Sequence, residues 1–260
     1  METVLVAVLG LMIGSFLNVC IHRLPRGESI VSPGSHCPHC NTPVAWRDNI
    51  PVLSFVMLGG RCRKCRKGIS PRYVIVEILN AVFWVLLYRN YGLSGYFYGG
   101  CVFFSLLLAV TMTDFETGYI PDLISLPGAA AGLVLSAVLP ALHHETVWYW
   151  GLLKSTAGFL AGGGVLYITG WLGDKLFRRD SMGGGDIKLL AMIGSFTGWQ
   201  GALVVYLLAP FPALPMAIYT KWVQKAENIP YGPFLAMSAA VYFVYGKYII
   251  HYLFPYLGDH

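Results

Sequence analysis

The sequence predicts an all-α polytopic membrane protein: about eight transmembrane helices and a small cytoplasmic loop domain built on a zinc knuckle. Three observations carry this. Charged residues make up 12% of the 260-residue chain, about half the roughly 25% usual in globular domains. Hydrophobic residues make up 56% and mean hydropathy is +0.59, so too few charges exist to draw a water-facing surface and much of the exterior must meet lipid. Long apolar runs also alternate with short polar segments in which basic residues gather. Disorder, a collagen-like repeat and a small disulfide scaffold are excluded by the same composition.

Val4 to Ile21 is apolar, with Glu2 before it and Arg23 and Arg26 after it. A secretory signal carries its positive charge first, and no small-residue cleavage site is visible. Residues 1–21 are therefore expected to be a retained first transmembrane helix, its N-terminus outside and its other end in the cytoplasm. From His22 to Arg72 the chain turns polar, and Pro25, Pro33, Pro38, Pro43, Pro51 and Pro71 punctuate it. Residues 22–72 should therefore form a compact loop domain. The membrane core follows over 73–260, with apolar runs at Tyr73–Tyr88, Tyr96–Met112, Ile120–Leu139 and Gly151–Leu172.

Ile187 to Tyr219 is long for one crossing and short for two. Gly198, Pro210, Pro212 and Pro215 interrupt it, and Lys221 and Lys225 follow. Basic residues after the run favour a cytoplasmic loop and hence two crossings, one of them short or bent. Tyr231 to Phe254 is the last run. The count is eight spans with both termini outside; seven is the alternative.

The net charge of +5 does not indicate nucleic acid. Nine of the 18 Lys and Arg lie between Arg23 and Arg72 and four more between Lys175 and Lys188, which is the clustering the positive-inside rule describes. Gly10/Gly14, Gly128/Gly132, Gly158/Gly162 and Gly194/Gly198 repeat a small-xxx-small spacing expected of helix-packing faces. No internal repeat of the kind that builds transporters is apparent.

Cys37-Pro-His-Cys40 and Cys62-Arg-Lys-Cys65 are two C-x2-C pairs, 21 residues apart. Such knuckles place four thiolates tetrahedrally around Zn²⁺. The alternative, two disulfides, is disfavoured on a reducing cytoplasmic side. Four cysteines leave no open coordination position, so the expected zinc is structural.

With 13 acidic residues in the chain, their positions are informative. Asp114 follows the run that ends near Met112, Asp122 follows Pro121, and Asp186 closes Gly183-Gly184-Gly185-Asp186 before the run from Ile187. All three fall near the cytoplasmic boundary on different helix ends. Pro121 suits an N1 position, so Asp122 and Asp186 could serve as simple first-turn residues that complement the helix dipole. A pair of them could instead share one proton, one carboxyl acting as acid while the other activates water. Gly183 and Gly185 would let substrate backbone approach, or would merely loosen the loop. Glu77 lies within a span near Asn80, where it is either functional or a protonated group bonded to Asn80 or a neighbouring helix. His143, His144 and Glu145 are expected in a solvated outer loop with no role.

Gly14-Ser15-Phe16-Leu17-Asn18-Val19 leading to His22-Arg23-Leu24-Pro25 resembles the N-terminal signature of the type IV prepilin peptidases, the bifunctional leader peptidase/N-methyltransferases of pilus and type II secretion systems. The paired C-x2-C knuckles follow in the matching loop, and Arg72-Tyr73 through Glu77 resembles the next span's start. Asp114-Phe-Glu-Thr-Gly-Tyr-Ile-Pro-Asp122 resembles the first aspartate motif, and Gly183-Gly-Gly-Asp186-Ile-Lys188 the G-x-G-D motif. Pro230-Tyr231-Gly232-Pro233-Phe234-Leu235 is similar to a late P-F-G-P segment, with Tyr231 where Phe is common.

The resemblance implies that Asp114 and Asp186 are the catalytic aspartates, with Asp122, Gly183 and Gly185 supporting. It implies a multi-pass protein of the bacterial inner membrane that removes short basic leaders from prepilins and pseudopilins on the cytoplasmic side. It further implies S-adenosylmethionine as methyl donor to the new N-terminus, although no G-x-G-x-x-G unit is present to place that cofactor. A peptidase without methyltransferase activity and an ion-coupled transporter using Glu77, Asp114 and Asp186 are the competing readings.

Overall fold

The computed structural model describes residues 1–178, 182–220, 222 and 230–253. Arg179, Lys221 and Lys225, and the end of the last apolar run at Phe254, lie outside the described residues. The described chain is helical, with two isolated antiparallel bridges, His36–Pro43 and Arg61–Gly68. Five of its helices are long and apolar enough to cross a membrane, and two shorter apolar ones accompany them. The chain divides into two compact units, Met1–Leu93 and Ser94–His260.

In the first unit α1 (Glu2–Arg23) and α3 (Arg72–Tyr91) pack antiparallel, separated in sequence by a polar loop carrying the short α2 (Leu53–Met57). The seam depends on missing side chains. A Cβ on Gly10 would stand 2.7 Å from Ala81 Cα, and one on Gly14 equally close to Glu77 Cα. Close backbones bring polar groups within reach in lipid, where each must find a partner. Asn80 Nδ2 donates to Gly10 O at 2.8 Å, and Asn18 Nδ2 to Tyr73 O at 3.0 Å.

The second unit comprises α4 (Gly95–Thr117), α5 (Asp122–Val138), α6 (Trp148–Phe177), α7 (Gly184–Leu208), α8 (Pro210–Tyr219) and α9 (Gly232–Leu253). α7 is two helical arms joined at Gly198, whose φ of +73° and ψ of 176° reverse the chain. The reversal is tight enough that a Cβ on Gly194 would lie 3.3 Å from Ala202 Cβ, whereas eight residues of straight helix would span about 12 Å. The 33-residue apolar run is thus folded into a hairpin of helices, as its length and breakers suggested.

Glycine seams fix the directions of the arms. Gly158 meets Gly194 O and Gly162 meets Leu190 O, so α6 and the first arm of α7 run antiparallel. Gly128 lies against Met192 and Gly132 against Ser195, so α5 and that arm run parallel. Phe103, Phe196 and Phe243 stack between α4, α7 and α9, at centroid distances of 4.9 and 5.2 Å from Phe103.

Two sequence expectations need correction. α4 does not stop near Met112 but continues to Thr117, closed by Gly118 at φ +63° with its N–H on Asp114 O at 2.8 Å. Asp114 is therefore inside the helix. His143 is not solvated but 7% exposed, with Nε2 2.9 Å from Ser136 Oγ and Nδ1 beneath Gly198. Burial holds its imidazole down, to about 4, so the ring is neutral in the fold. Its loop neighbours are also engaged: Glu145 pairs with Lys154 at 2.5 Å and His144 stacks on Tyr96.

Candidate functional site

The aspartate motifs meet at one end of the second unit. Because α5 and the first arm of α7 are parallel, Asp122 and Asp186 start their helices at the same end. Lys188 Nζ secures this by bonding both Asp122 carboxylate oxygens at 2.7 Å. Pro121 occupies the N-cap rather than N1, with an extended ψ of 133°, and Asp122 is the first helical residue. Asp122 is half-exposed and committed to Lys188.

Asp114 reaches this end from the last turn of α4 and is 4% exposed. Its Oδ2 accepts the Gly232 N–H at 3.1 Å, one of the unpaired amides that open α9. The Pro230–Leu235 motif does not by itself reveal that contact. The signal was a Gly between two prolines at a helix start, since a Cβ there would stand 2.7 Å from Asp114 Oδ2.

Ile120 packs against Gly232, whose amide Asp114 holds, and against Gly185, which precedes Asp186. It is 4% exposed, and it lies 2.9 Å from where a Cβ would sit on Gly232 and 3.0 Å from where one would sit on Gly185. Asp186, half-buried in the first turn of α7, is close enough for the Asp114 charge to act on it. The space at Gly185 is filled by Ile120, so that glycine serves packing. Gly183 is exposed and leaves its space to the Asp186 carboxyl, 3.1 Å from an added Cβ.

Glu77 belongs to the first unit. It is 6% exposed, and its Oε2 accepts the Val52 N–H at 2.8 Å. Glu77 also shares a hydrogen bond with Ser15 of α1, the neighbouring-helix alternative, and so ties the loop to the α1–α3 pair.

The four cysteines form the second cluster. Their knuckles superimpose in pattern: Asn41 N–H donates to Cys37 O and Cys37 N–H to Thr42 O, just as Arg66 N–H donates to Cys62 O and Cys62 N–H to Lys67 O. Asn41 and Arg66 take the left-handed conformation each turn requires, φ +52° and +60°. In a tetrahedral site with Zn–S near 2.3 Å, sulfurs stand about 3.8 Å apart. Cys37 and Cys65 Sγ are separated by 3.8 Å, and all four sulfurs lie within 4.8 Å of one another. A hydrogen bond with Thr42 holds the Cys40 thiol down at about 6, and the Cys65 and Lys64 amides lower that of Cys62. Against the Lys67 amide, burial and the neighbouring sulfurs push the Cys65 thiol up to about 11. The spacing of the four sulfurs is what fits a metal ion, and all six cysteines of the chain are free of disulfides.

Both units match known families. Residues 8–91 match the bacterial peptidase A24 N-terminal domain, and residues 101–218 match the type IV leader peptidase family. A prepilin leader peptidase/N-methyltransferase of Klebsiella pneumoniae is 38% identical, covering 77% of this chain and 87% of its own length. Proteins of the same name from Aeromonas hydrophila and Neisseria gonorrhoeae are 33% and 31% identical, covering 94% and 92% of this chain and 91% and 89% of their own lengths. No solved structure matches significantly. The chain is therefore a multi-pass bacterial membrane protein with a peptidase-family core. It belongs to the type IV leader peptidase family.

Proposed function

We propose that the chain cleaves the leaders of type IV prepilins and pseudopilins at the cytoplasmic face of the inner membrane, and then N-methylates the exposed residue. The observation that carries the peptidase reading is that Asp114 and Asp186 lie at one end of the second unit, near enough for the charge of one to act on the other. Two carboxyls in each other's field ionise singly most easily, leaving one proton-bearing acid and one carboxylate. The carboxylate takes a proton from water as it attacks the scissile carbonyl, and the acid gives its proton to the departing amine. The Gly232 N–H holds Asp114 in place, the Lys188–Asp122 pair holds the ends of α5 and α7 together, and exposed Gly183 gives backbone room beside Asp186.

Topology supports the membrane face. Eight crossings (α1, α3, α4, α5, α6, the two arms of the α7–α8 hairpin, and α9) bring the end of α4 and the starts of α5, α7 and α9 to one side. With an outside N-terminus, that side and the cysteine loop are cytoplasmic. Cys37, Cys40, Cys62 and Cys65 would hold Zn²⁺ as a closed structural site. When bound, S-adenosylmethionine supplies the methyl group, and the freed α-amine, with an ordinary pKa near 8, becomes nucleophilic on losing a proton.

The test is cleavage of a prepilin-like peptide in detergent by wild type, Asp114→Ala and Asp186→Ala. Cleavage by wild type alone supports the reading; substantial cleavage by either folded variant overturns the paired mechanism.

A further inference from the structure

We propose that the cleft between the end of α1 and the first cysteine knuckle is the methyl-donor site, binding the amino-acid end of S-adenosylmethionine through Arg23. The inference rests on the methyltransferase reading above and adds the residues that reading lacks. The cleft has a volume of ≈ 380 Å³ and is lined by Arg23, Glu28, Ser29, Ser32, Pro33 and His36. Such a volume lies within the range of about 300–1,000 Å³ typical of cofactor sites.

Arg23 is the informative residue. It is 6% exposed, yet its guanidinium meets only neutral acceptors: Nη1 donates to Ser29 O at 2.9 Å and Nη2 to Gly34 O at 3.3 Å. No carboxylate among the described residues pairs with it. A buried cation without a counterion is costly, and this one lines an open cleft with donors to spare, since a guanidinium carries five N–H groups. A ligand carboxylate would supply the missing charge through a charge-assisted bond.

The remaining lining suits the rest of such a ligand. Glu28 is exposed on the rim, where its carboxylate can meet an ammonium, a sulfonium or ribose hydroxyls. His36, also exposed, has its Nδ1 at 3.2 Å from Gly34 O and lines the cleft together with Pro33. One anionic and one cationic group within a cleft of this size describe a zwitterionic small molecule better than a simple anion. A lipid phosphate offers Arg23 the same charge but nothing for the remainder of the cleft.

The test uses the full chain in neutral-lipid nanodiscs with tritiated S-adenosylmethionine. Equilibrium binding is followed by ultraviolet cross-linking and peptide mapping, with zinc content and thermal unfolding as fold controls. Expected are cross-links within residues 28–36 and a Kd weakened at least about tenfold by Arg23→Met, as for loss of one partner of a buried charge pair. Because Arg23 also ties the loop, the rim variants Glu28→Gln and His36→Ala are measured beside it and should weaken binding while leaving the fold intact. S-adenosylhomocysteine should displace the label, and anionic lipid should not. Binding with cross-links elsewhere, unchanged Kd in all three variants, or displacement by lipid alone would overturn the cleft while leaving the methyltransferase reading standing. An absence of both binding and methylation by wild type would overturn the two together.

Discussion

Adding one methyl group at Gly232 tests the carboxylate site without touching a carboxylate. The new Cβ of Gly232→Ala would stand 2.7 Å from Asp114 Oδ2, 3.3 Å from its Cγ and 2.9 Å from Ile120 Cδ1. Carbon atoms prefer about 3.5–4.0 Å, so Ile120 and the Asp114 carboxyl must each give by half an ångström or more. The buried surroundings offer little room, and overpacking of this kind costs about 1–3 kcal/mol. The catalytic cost should be larger in proportion, because misplacement by 1 Å can cost about 10²-fold. A fall in kcat of about 10- to 100-fold is expected, with the protein still folded and KM little changed. The assay is detergent-phase cleavage of a prepilin peptide, with thermal unfolding recorded on the same samples. Gly164→Ala is the control, since nothing lies within 4 Å of its added Cβ, and it should match wild type. A folded Gly232→Ala protein with undiminished kcat would refute the placement of Asp114 beside the reacting group.

Three further outcomes follow from the same geometry. Asp114→Asn, Asp186→Asn and the double variant should lose cleavage to nearly the same extent, since groups acting as a unit are non-additive; Asp122→Asn should retain more, because its half-exposed ion pair contributes only about 0–1 kcal/mol. Metal analysis should return about one Zn per chain, and Cys62→Ser should lose it and open residues 37–68 to limited proteolysis. His143, neutral in the fold with its pKa lowered to about 4, should make stability fall as pH drops below the ordinary value near 6.5, because the unfolded state gains the proton first. The loss should be about 2 kcal/mol between pH 7.5 and 5 and saturate below 4; thermal unfolding over that range should flatten in His143→Gln.

What the sequence made legible was what composition and spacing determine. The apolar runs became helices within a few residues, because few charges interrupt them and lipid demands internal hydrogen bonding. The C-x2-C spacing located the four sulfurs, since a knuckle is a local turn closed by its own amides. The glycine pairs announced close seams, and all proved to be contacts, Gly198 included, its Cα 2.7 Å from where a Cβ would sit on Gly158. Gly198 differs in also reversing a helix, which needs a left-handed φ that spacing alone does not distinguish from packing. Long-range partners were not legible. Glu77 bonds Val52 across 25 residues, and Asp114 bonds the amide of Gly232 across 118. Neither choice is encoded in the residue's own neighbourhood. His143 was misread for the same reason: a polar loop residue is solvated unless another segment covers it, and the covering segment here is the Gly198 turn.

That turn bears on how the aspartates are held. Asp186 opens an arm of only about 14 residues, from Gly184 to the reversal at Gly198, so its far end is as important to its position as its near one. At the far end Ser195 O accepts from Ser155 Oγ at 2.6 Å, and Ser136 bridges to buried His143. Along its length Gly158 and Gly162 let α6 run against the arm's backbone, and at the near end Lys188 grips Asp122. The arm is therefore fixed at both ends and along one face, with Gly183 and Gly184 exposed at its start. Asp114 is restrained differently, by burial and a single amide from α9. The two carboxyls thus rest on independent supports, and Asp186 is the more exposed of the two. Such an arrangement suits hydrolysis, in which one group keeps its geometry while the other meets water and substrate.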